Sequence, residues 1–200
     1  MKVVLGLAAA GVLAVALWWR RNPTACPYSQ RFWVEAPHPF VTRGRLIETL
    51  EPEPEERLLE VGPGTGYYTL DVASRAAAVD IFDLQQEMLD HTMRRAVEAG
   101  LSNVTPTQGD ARSLPYPDAT FDGAWLVTVL GEIPDQQAAL DELARVLRPG
   151  GRLVVGELVG DPHYVRFGAL RERAEKAGLA FDRRVGGVLG YFARFEKPAV

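Results

Sequence analysis

From Arg57 onward the chain alternates short apolar runs with longer amphipathic stretches. "RLLEV", "AAVDIFD", "NVTPTQGD", "FDGAWLVTV" and "RLVVGEL" read as five strands, the third weakened by Pro106. Between them, "YYTLDVASRA", "QQEMLDHTMRRAVEAG", "PDQQAALDELARVLRPGG" and "YVRFGALRERAEKAG" read as helices. In the third of these, Leu140, Leu143, Ala144 and Leu147 fall at helical spacing, and Pro149-Gly150-Gly151 is the expected stop. Gly100 is the expected cap of the second. "LAFDRRVGG" and "VLGYFARFEKP" suit a closing antiparallel pair. Strands alternating with helices predict an α/β domain: a parallel sheet covered on both faces, with an antiparallel edge.

The pattern differs before residue 57. "VTRGRLIETLEP" predicts one more helix, with Leu46, Ile47 and Leu50 on one side and Pro52 and Pro54 ending it. "RRNPTACPYSQRFWVEAPHPF" has no clear period and reads as a linker running into a segment that covers something. "VVLGLAAAGVLAVALWW", Val3 to Trp19, carries no charge. Its roughly 17 residues would reach about 25 Å as a helix, near the lower limit for a bilayer core. Trp18 and Trp19 stand where an interfacial aromatic belt would, and Arg20 and Arg21 follow, so the expected orientation leaves the remainder in the cytoplasm. A cleaved signal fits less well, because the run ends in tryptophans and arginines and not at a small-residue site. A buried soluble helix is hard to reconcile with an apolar surface on all sides. The expected organisation is therefore a membrane anchor at 1–21, a linker and cover at 22–40, and an α/β domain at 41–200.

Composition narrows the partners. The formal net charge is −4 and no basic run occurs, which argues against a nucleic-acid partner. Cys26 is the single cysteine, so an internal disulfide and a thiolate metal cluster are excluded.

The chemistry concentrates in "LLEVGPGTGYYTL". Gly62, Gly64 and Gly66 follow the first strand, where ligands of such sheets bind and where a bare main chain lets one approach closely. The third glycine of a dinucleotide fingerprint is replaced by Tyr67, and no lysine followed by Ser or Thr supplies a triphosphate loop. Glu60, just before the turn, would repel phosphate and suits an ammonium group. Asp83 ends the second strand about 20 residues after the first glycine, where an acid accepts hydrogen bonds from ribose hydroxyls. Asp80 competes for that role but lies earlier in the strand. The expected ligand carries ribose and a positive group and no phosphate.

Four ordered segments, "LLEVGPGTG", "VDIFDLQQEML", "GDARSLPYPDATFDGAWLVTVLGEIPD" and "LARVLRPGGRLVV", resemble class I S-adenosylmethionine-dependent methyltransferases, in the branch that includes the ubiquinone and menaquinone C-methyltransferases. The resemblance covers roughly residues 40 to 200. It implies a three-layer Rossmann-like sheet of seven strands with strand seven antiparallel, and S-adenosylmethionine as methyl donor. It also implies that the glycine turn holds the methionine part and Asp83 the ribose. Asp110 and the Ala111 backbone would meet the adenine, and Thr128 would line the methyl-transfer pocket. "LGEIPD" departs from the family's common pattern after strand four and leaves the catalytic group open. His163, Glu132, Tyr28 and His38 are the candidate bases. A tethered domain suits a small lipid-soluble acceptor: a quinone precursor, a polyprenyl compound or a phospholipid headgroup. The alternatives are a tethered S-adenosylmethionine-binding protein without catalysis and a nicotinamide-dependent dehydrogenase.

Overall fold

The computed structural model describes residues 22–35 and 38–199, without the side chains of Trp33 and Val34. Val3 to Trp19 lies outside the described residues. Among these, no helix is long and apolar enough to cross a membrane.

Seven strands form one sheet: β1 (Arg57–Val61), β2 (Ala78–Asp83), β3 (Val104–Gln108), β4 (Phe121–Val127), β5 (Leu147–Leu158), β6 (Ala180–Gly186) and β7 (Gly190–Glu196). Their order is β3-β2-β1-β4-β5-β7-β6. The first five are mutually parallel, and β7 runs antiparallel to both β5 and β6. The expected closing pair is thus observed, with β7 inserted between β5 and the edge. Five helices accompany the sheet: α1 (Arg43–Leu50), α2 (Thr69–Ala73), α3 (Gln86–Glu98), α4 (Gln136–Val146) and α5 (Phe167–Lys176).

The central strands β1, β2, β4 and β5 are mostly buried on both sides because each side meets helices, whereas the edge strands β3 and β6 are largely exposed. Leu58, Val79, Ile81, Trp125 and Val154 point into one core with Leu46 and Leu50 of α1, Val72 of α2 and Leu89 of α3. Their neighbours Leu59, Phe82, Leu126, Leu153 and Val155 point into the other, with Leu140 and Leu143 of α4 and Leu170 of α5. A one-residue step along a strand changes the face, so the near-continuous apolar runs fill both layers.

Three expected boundaries moved. The helix expected from Tyr67 begins only at Thr69, because the turn before it runs left-handed at Gly62, Gly64 and Gly66. Helix α4 stops at Val146, before its proline, and Leu147 takes extended angles to pair with Phe121 of β4. Pro149-Gly150-Gly151 then lies within an irregular start of β5, closed by Gly150 N–H to Lys197 O at 2.8 Å and Lys197 N–H to Gly151 O at 2.8 Å. Pro106 sits in β3, an edge strand, where a missing donor costs little.

Residues 22–35 and 38–40 lie at the carboxyl ends of the strands. A 3₁₀ turn at Tyr28–Gln30 and one helical turn at Phe32–Glu35 are their regular structure.

Candidate active site

The chain leaves β1 toward β2 and β3 on one side and β4 and β5 on the other. A crevice opens where those directions diverge, at the carboxyl ends of β1 and β4. A cavity of about 550 Å³ lies there, walled by the turns after β1, β2, β3 and β4 and roofed by Pro23–Pro27.

The glycine turn forms its floor. Gly62, Gly64 and Gly66 have φ of 71°, 56° and 79°, the left-handed region that suits glycine. At Gly62 a Cβ would also stand 2.3 Å from Val129 Cγ2. Gly62 and Gly64 line the cavity, while Gly66 packs behind them against Thr92. Helix α3 holds the loop from outside: Thr92 donates to Gly64 O at 3.0 Å and Arg95 to Thr65 O at 2.6 Å.

Asp83 ends β2 on the cavity wall. One carboxylate oxygen accepts the Gln85 N–H at 2.8 Å. Burial pushes its pKa up to about 6, against the backbone hydrogen bonds that lower it. Asp80 is nearly fully buried and bound by Arg57, with both guanidinium contacts at 2.9 Å. Asp83 lines the cavity and Asp80 does not.

Asp110 and Ala111 line the same cavity after β3. Asp110 is engaged by Arg112, with Nη2 at 2.6 Å from Oδ2 and the Arg112 backbone N–H at 2.9 Å from Oδ1. These bonds hold its carboxyl below the usual range. Thr128 follows β4 with φ of 56°, strained for a β-branched residue. Its N–H donates to Gly156 O and its hydroxyl to Val127 O, at 2.8 and 2.7 Å.

Glu60 departs from expectation. It is 2% exposed and lies off the cavity wall, so it does not await an ammonium group. One oxygen accepts from Trp125 Nε1 at 3.0 Å and the other from the Thr69 hydroxyl. Strand alternation explains this: Glu60 projects to the face of Leu58, under α2, where it ties β1 to β4 and to the helix start. Burial raises its pKa to about 7, opposed by both hydrogen bonds.

A second cavity, of about 540 Å³, adjoins the first. Gly62, Val127, Thr128, Glu132 and Thr24–Pro27 belong to both walls. Its own lining includes Tyr67, Tyr68, Leu158, His38, Asp161 and His163, and no lysine or arginine among the described residues lines it.

Of the four candidate bases, Glu132, His38 and His163 meet at this second cavity, and Tyr28 does not. The Tyr28 hydroxyl lies 3.1 Å from His91 Nδ1, outside both cavities. Glu132 Oε2 accepts the Cys26 N–H at 3.2 Å. Burial above all, then the nearby Asp161 and Asp83, lifts its pKa to about 8 despite that hydrogen bond.

Sequence reasoning missed Gln85 and Asp161. Gln85 clasps the roof: Nε2 donates to Cys26 O at 2.9 Å, and Oε1 accepts the Tyr28 N–H at 3.0 Å. Asp161 caps the loop after β5 by accepting the His163 N–H at 2.7 Å. Both follow directly from strand ends that point at the crevice, which was the available signal.

The sheet order and the crevice, floored by a glycine turn and walled by an acid ending the next strand, define a Rossmann-like fold of the methyltransferase kind. Residues 59–155 match the family model described as a methyltransferase domain. The 27-O-demethylrifamycin SV methyltransferase of Amycolatopsis mediterranei is 33% identical over 67% of this chain and 50% of its own. The phosphatidylethanolamine N-methyltransferase of Cereibacter sphaeroides is 35% identical over 65% of this chain and 62% of its own. A demethylmenaquinone methyltransferase of Corynebacterium efficiens is 36% identical over 65% and 53%. The chain thus spans 50–62% of the length of these relatives. In fold it is similar to a SAM-dependent methyltransferase structure from Aquifex aeolicus, with TM-score 0.78, 19% identity, and coverage of 86% of this chain and 100% of that one. Residues 59–155 are thus similar to methyltransferase domains, and the chain resembles the quinone methyltransferases among their relatives.

Proposed function

We propose that the protein moves a methyl group from S-adenosylmethionine in the first cavity to a small, lipid-soluble acceptor in the second. The observation that carries this reading is the shared wall. Gly62, Thr128 and Glu132 border both cavities, so two bound molecules meet at the end of β4. In this reading Gly62 and Gly64 receive the methionine part on bare backbone, with Gly66 shaping the turn. Asp83 accepts from the ribose, and Asp110 and Ala111 border the adenine. Glu60 serves from behind, by fixing the turn to β4.

S-adenosylmethionine, when bound, supplies a methyl group that is already activated. The chain's own task is to align an acceptor and exclude water. Thr128 holds the junction between the cavities through two main-chain hydrogen bonds. The Thr24–Pro27 stretch of the roof, clasped by Gln85 and Glu132, borders both cavities.

The lipid-soluble acceptor is supported by the apolar Val3–Trp19 run, which we propose holds the catalytic domain on the cytoplasmic face of a membrane. Similarity to quinone and phospholipid methyltransferases supports it further. Calorimetry with S-adenosylmethionine against NAD separates the methyltransferase from a dehydrogenase. An untargeted comparison of membrane lipids and quinones, with and without the gene, should show an acceptor lighter by one CH₂ when the gene is absent. A bound cofactor with no such difference, and no product with any acceptor, would favour a binding protein without catalysis. Release of the full-length protein from membranes by alkaline carbonate would refute the anchor.

A further inference from the structure

Methyl transfer to oxygen or nitrogen needs somewhere for the acceptor's proton to go. The second cavity is where that need can be met, and its titratable lining is specific. Asp161 and His163 come from the loop after β5 and Glu132 from the 3₁₀ turn after β4. Tyr67 and Tyr68 come from the glycine turn, and His38 and Cys26 from the covering segment.

These groups are not equivalent. Glu132 already accepts the Cys26 N–H, and with its pKa at about 8 it holds a proton at neutral pH. Asp161 is committed to the His163 N–H. The Tyr68 hydroxyl donates to Val41 O at 2.6 Å, turned away from the cavity. His38 differs: its Nδ1 is buried and has no hydrogen-bond partner among the described residues. Its ring stands edge-on to Tyr67, with centroids 5.9 Å apart. Burial lowers its pKa below the ordinary histidine value, with Asp161 opposing in part, so the imidazole is neutral at pH 7. The His38 ring lines the cavity, and a neutral imidazole there can take a proton from a bound acceptor.

We propose that His38 is the general base of the second cavity and that the acceptor is a neutral compound with an ionisable O–H or N–H. This rests on the reading of that cavity as the acceptor site. The acceptor's proton passes to the unprotonated nitrogen of the His38 ring. The electron pair left on the acceptor atom forms the bond to the methyl carbon. The carbon–sulfur pair stays on sulfur, giving a neutral thioether, and the proton leaves His38 for solvent. No lysine or arginine among the described residues lines the cavity to meet an anion, which disfavours an acceptor that brings a phosphate or carboxylate next to its reacting atom.

The test uses the full-length protein, the His38→Gln variant and two probe acceptors. One is 4-methoxyphenol, neutral at about pH 7, and the other is pentafluorophenol, already ionised there. His38→Gln should lower kcat/KM for 4-methoxyphenol about 10²-fold or more, while changing that for pentafluorophenol only a few-fold. Affinity for S-adenosylhomocysteine, by calorimetry, should be unchanged. In the cofactor-free protein, ring-proton NMR of the three histidines should give one signal that vanishes in His38→Gln and titrates with a midpoint below 6.5. Equal losses on both phenols, or none on either, would overturn the role of His38 while leaving the methyltransferase reading in place. So would a midpoint above 6.5. Failure of the unaltered protein to methylate either phenol would overturn the proposal together with the acceptor-site reading beneath it.

Discussion

The two cavities share a wall but are built differently. The first is assembled from consecutive strand-end turns, each carrying its own local signal: glycines after β1, an acid ending β2, Asp110-Ala111 after β3. The second takes Tyr67 from one end of the domain, Asp161 from another and His38 from outside it. No local pattern joins those residues. The difference teaches that a cavity lined by main chain and turn residues follows from strand order, whereas one lined by long-range side chains depends on how a covering segment is laid down. Changes in the first cavity should abolish or weaken cofactor binding, and changes in the cover should act on the acceptor.

The largest effect is expected from Gly64→Val. A branched side chain at φ 56° on the floor of the first cavity should abolish S-adenosylmethionine binding by calorimetry, with circular dichroism retaining the fold. Unchanged affinity would break the comparison at its base, because the glycine turn would then not be the cofactor floor.

Asp83→Ala comes next. It should weaken S-adenosylmethionine and S-adenosylhomocysteine equally, by about 1.5–3 kcal/mol or roughly 10- to 150-fold, since both carry the ribose. Asp80→Ala is its control. It removes the Arg57 pair and costs about 1 kcal/mol of stability, with cofactor affinity unchanged. A larger binding loss from Asp80→Ala would reverse the assignment of the two acids.

Gln85→Ala sharpens the comparison from the other side. Losing the clasp on Cys26 and Tyr28 should free the roof at a cost of about 1 kcal/mol, or roughly fivefold in acceptor KM. Hydrogen exchange should quicken at Tyr28, whose N–H is held by Gln85. Slow exchange and an unaltered KM would show that the roof stands without this residue.

The smallest effect is on stability against pH. Glu60, Glu132 and Glu157 have folded pKa values of about 7, 8 and 8, raised above the ordinary 4.5 chiefly by burial. Between about 4.5 and 8 the folded state therefore binds more protons than the unfolded chain. Stability should fall as pH rises through that window and level off above it. Below it, the carboxyls held low by arginines (Glu51, Asp110 and Glu142) lose their contribution as they are protonated. The cofactor-free protein should melt a few degrees higher at about pH 6 than at about pH 8. The Glu60→Gln variant should flatten part of the slope. A midpoint that rises toward pH 8 would mean that these carboxyls are solvated.

Much of this molecule was determined by sequence alone, through signals that act over a few residues. The alternation of strands and helices, the amphipathic faces of α1 and α4, the glycine turn and the acid at the end of β2 all arise from local sterics and periodicity, and the structure carries them. Asp83 at a strand end and Asp80 in the strand middle were legible as positions, three residues apart. The tertiary structure alone decided the rest. Glu60 reads as a ligand group in the chain and becomes a buried tie to Trp125 and Thr69, because its partners lie 65 and 9 residues away. Tyr28 and His38 read alike as candidates in one aromatic segment, yet the first turns to His91 and the second to a cavity. That choice depends on how the covering segment is laid over the strand ends, where Gln85 and Glu132 hold Cys26 and Tyr28. Contacts between distant residues leave no period in a sequence, since only the folded backbone brings them within hydrogen-bonding reach.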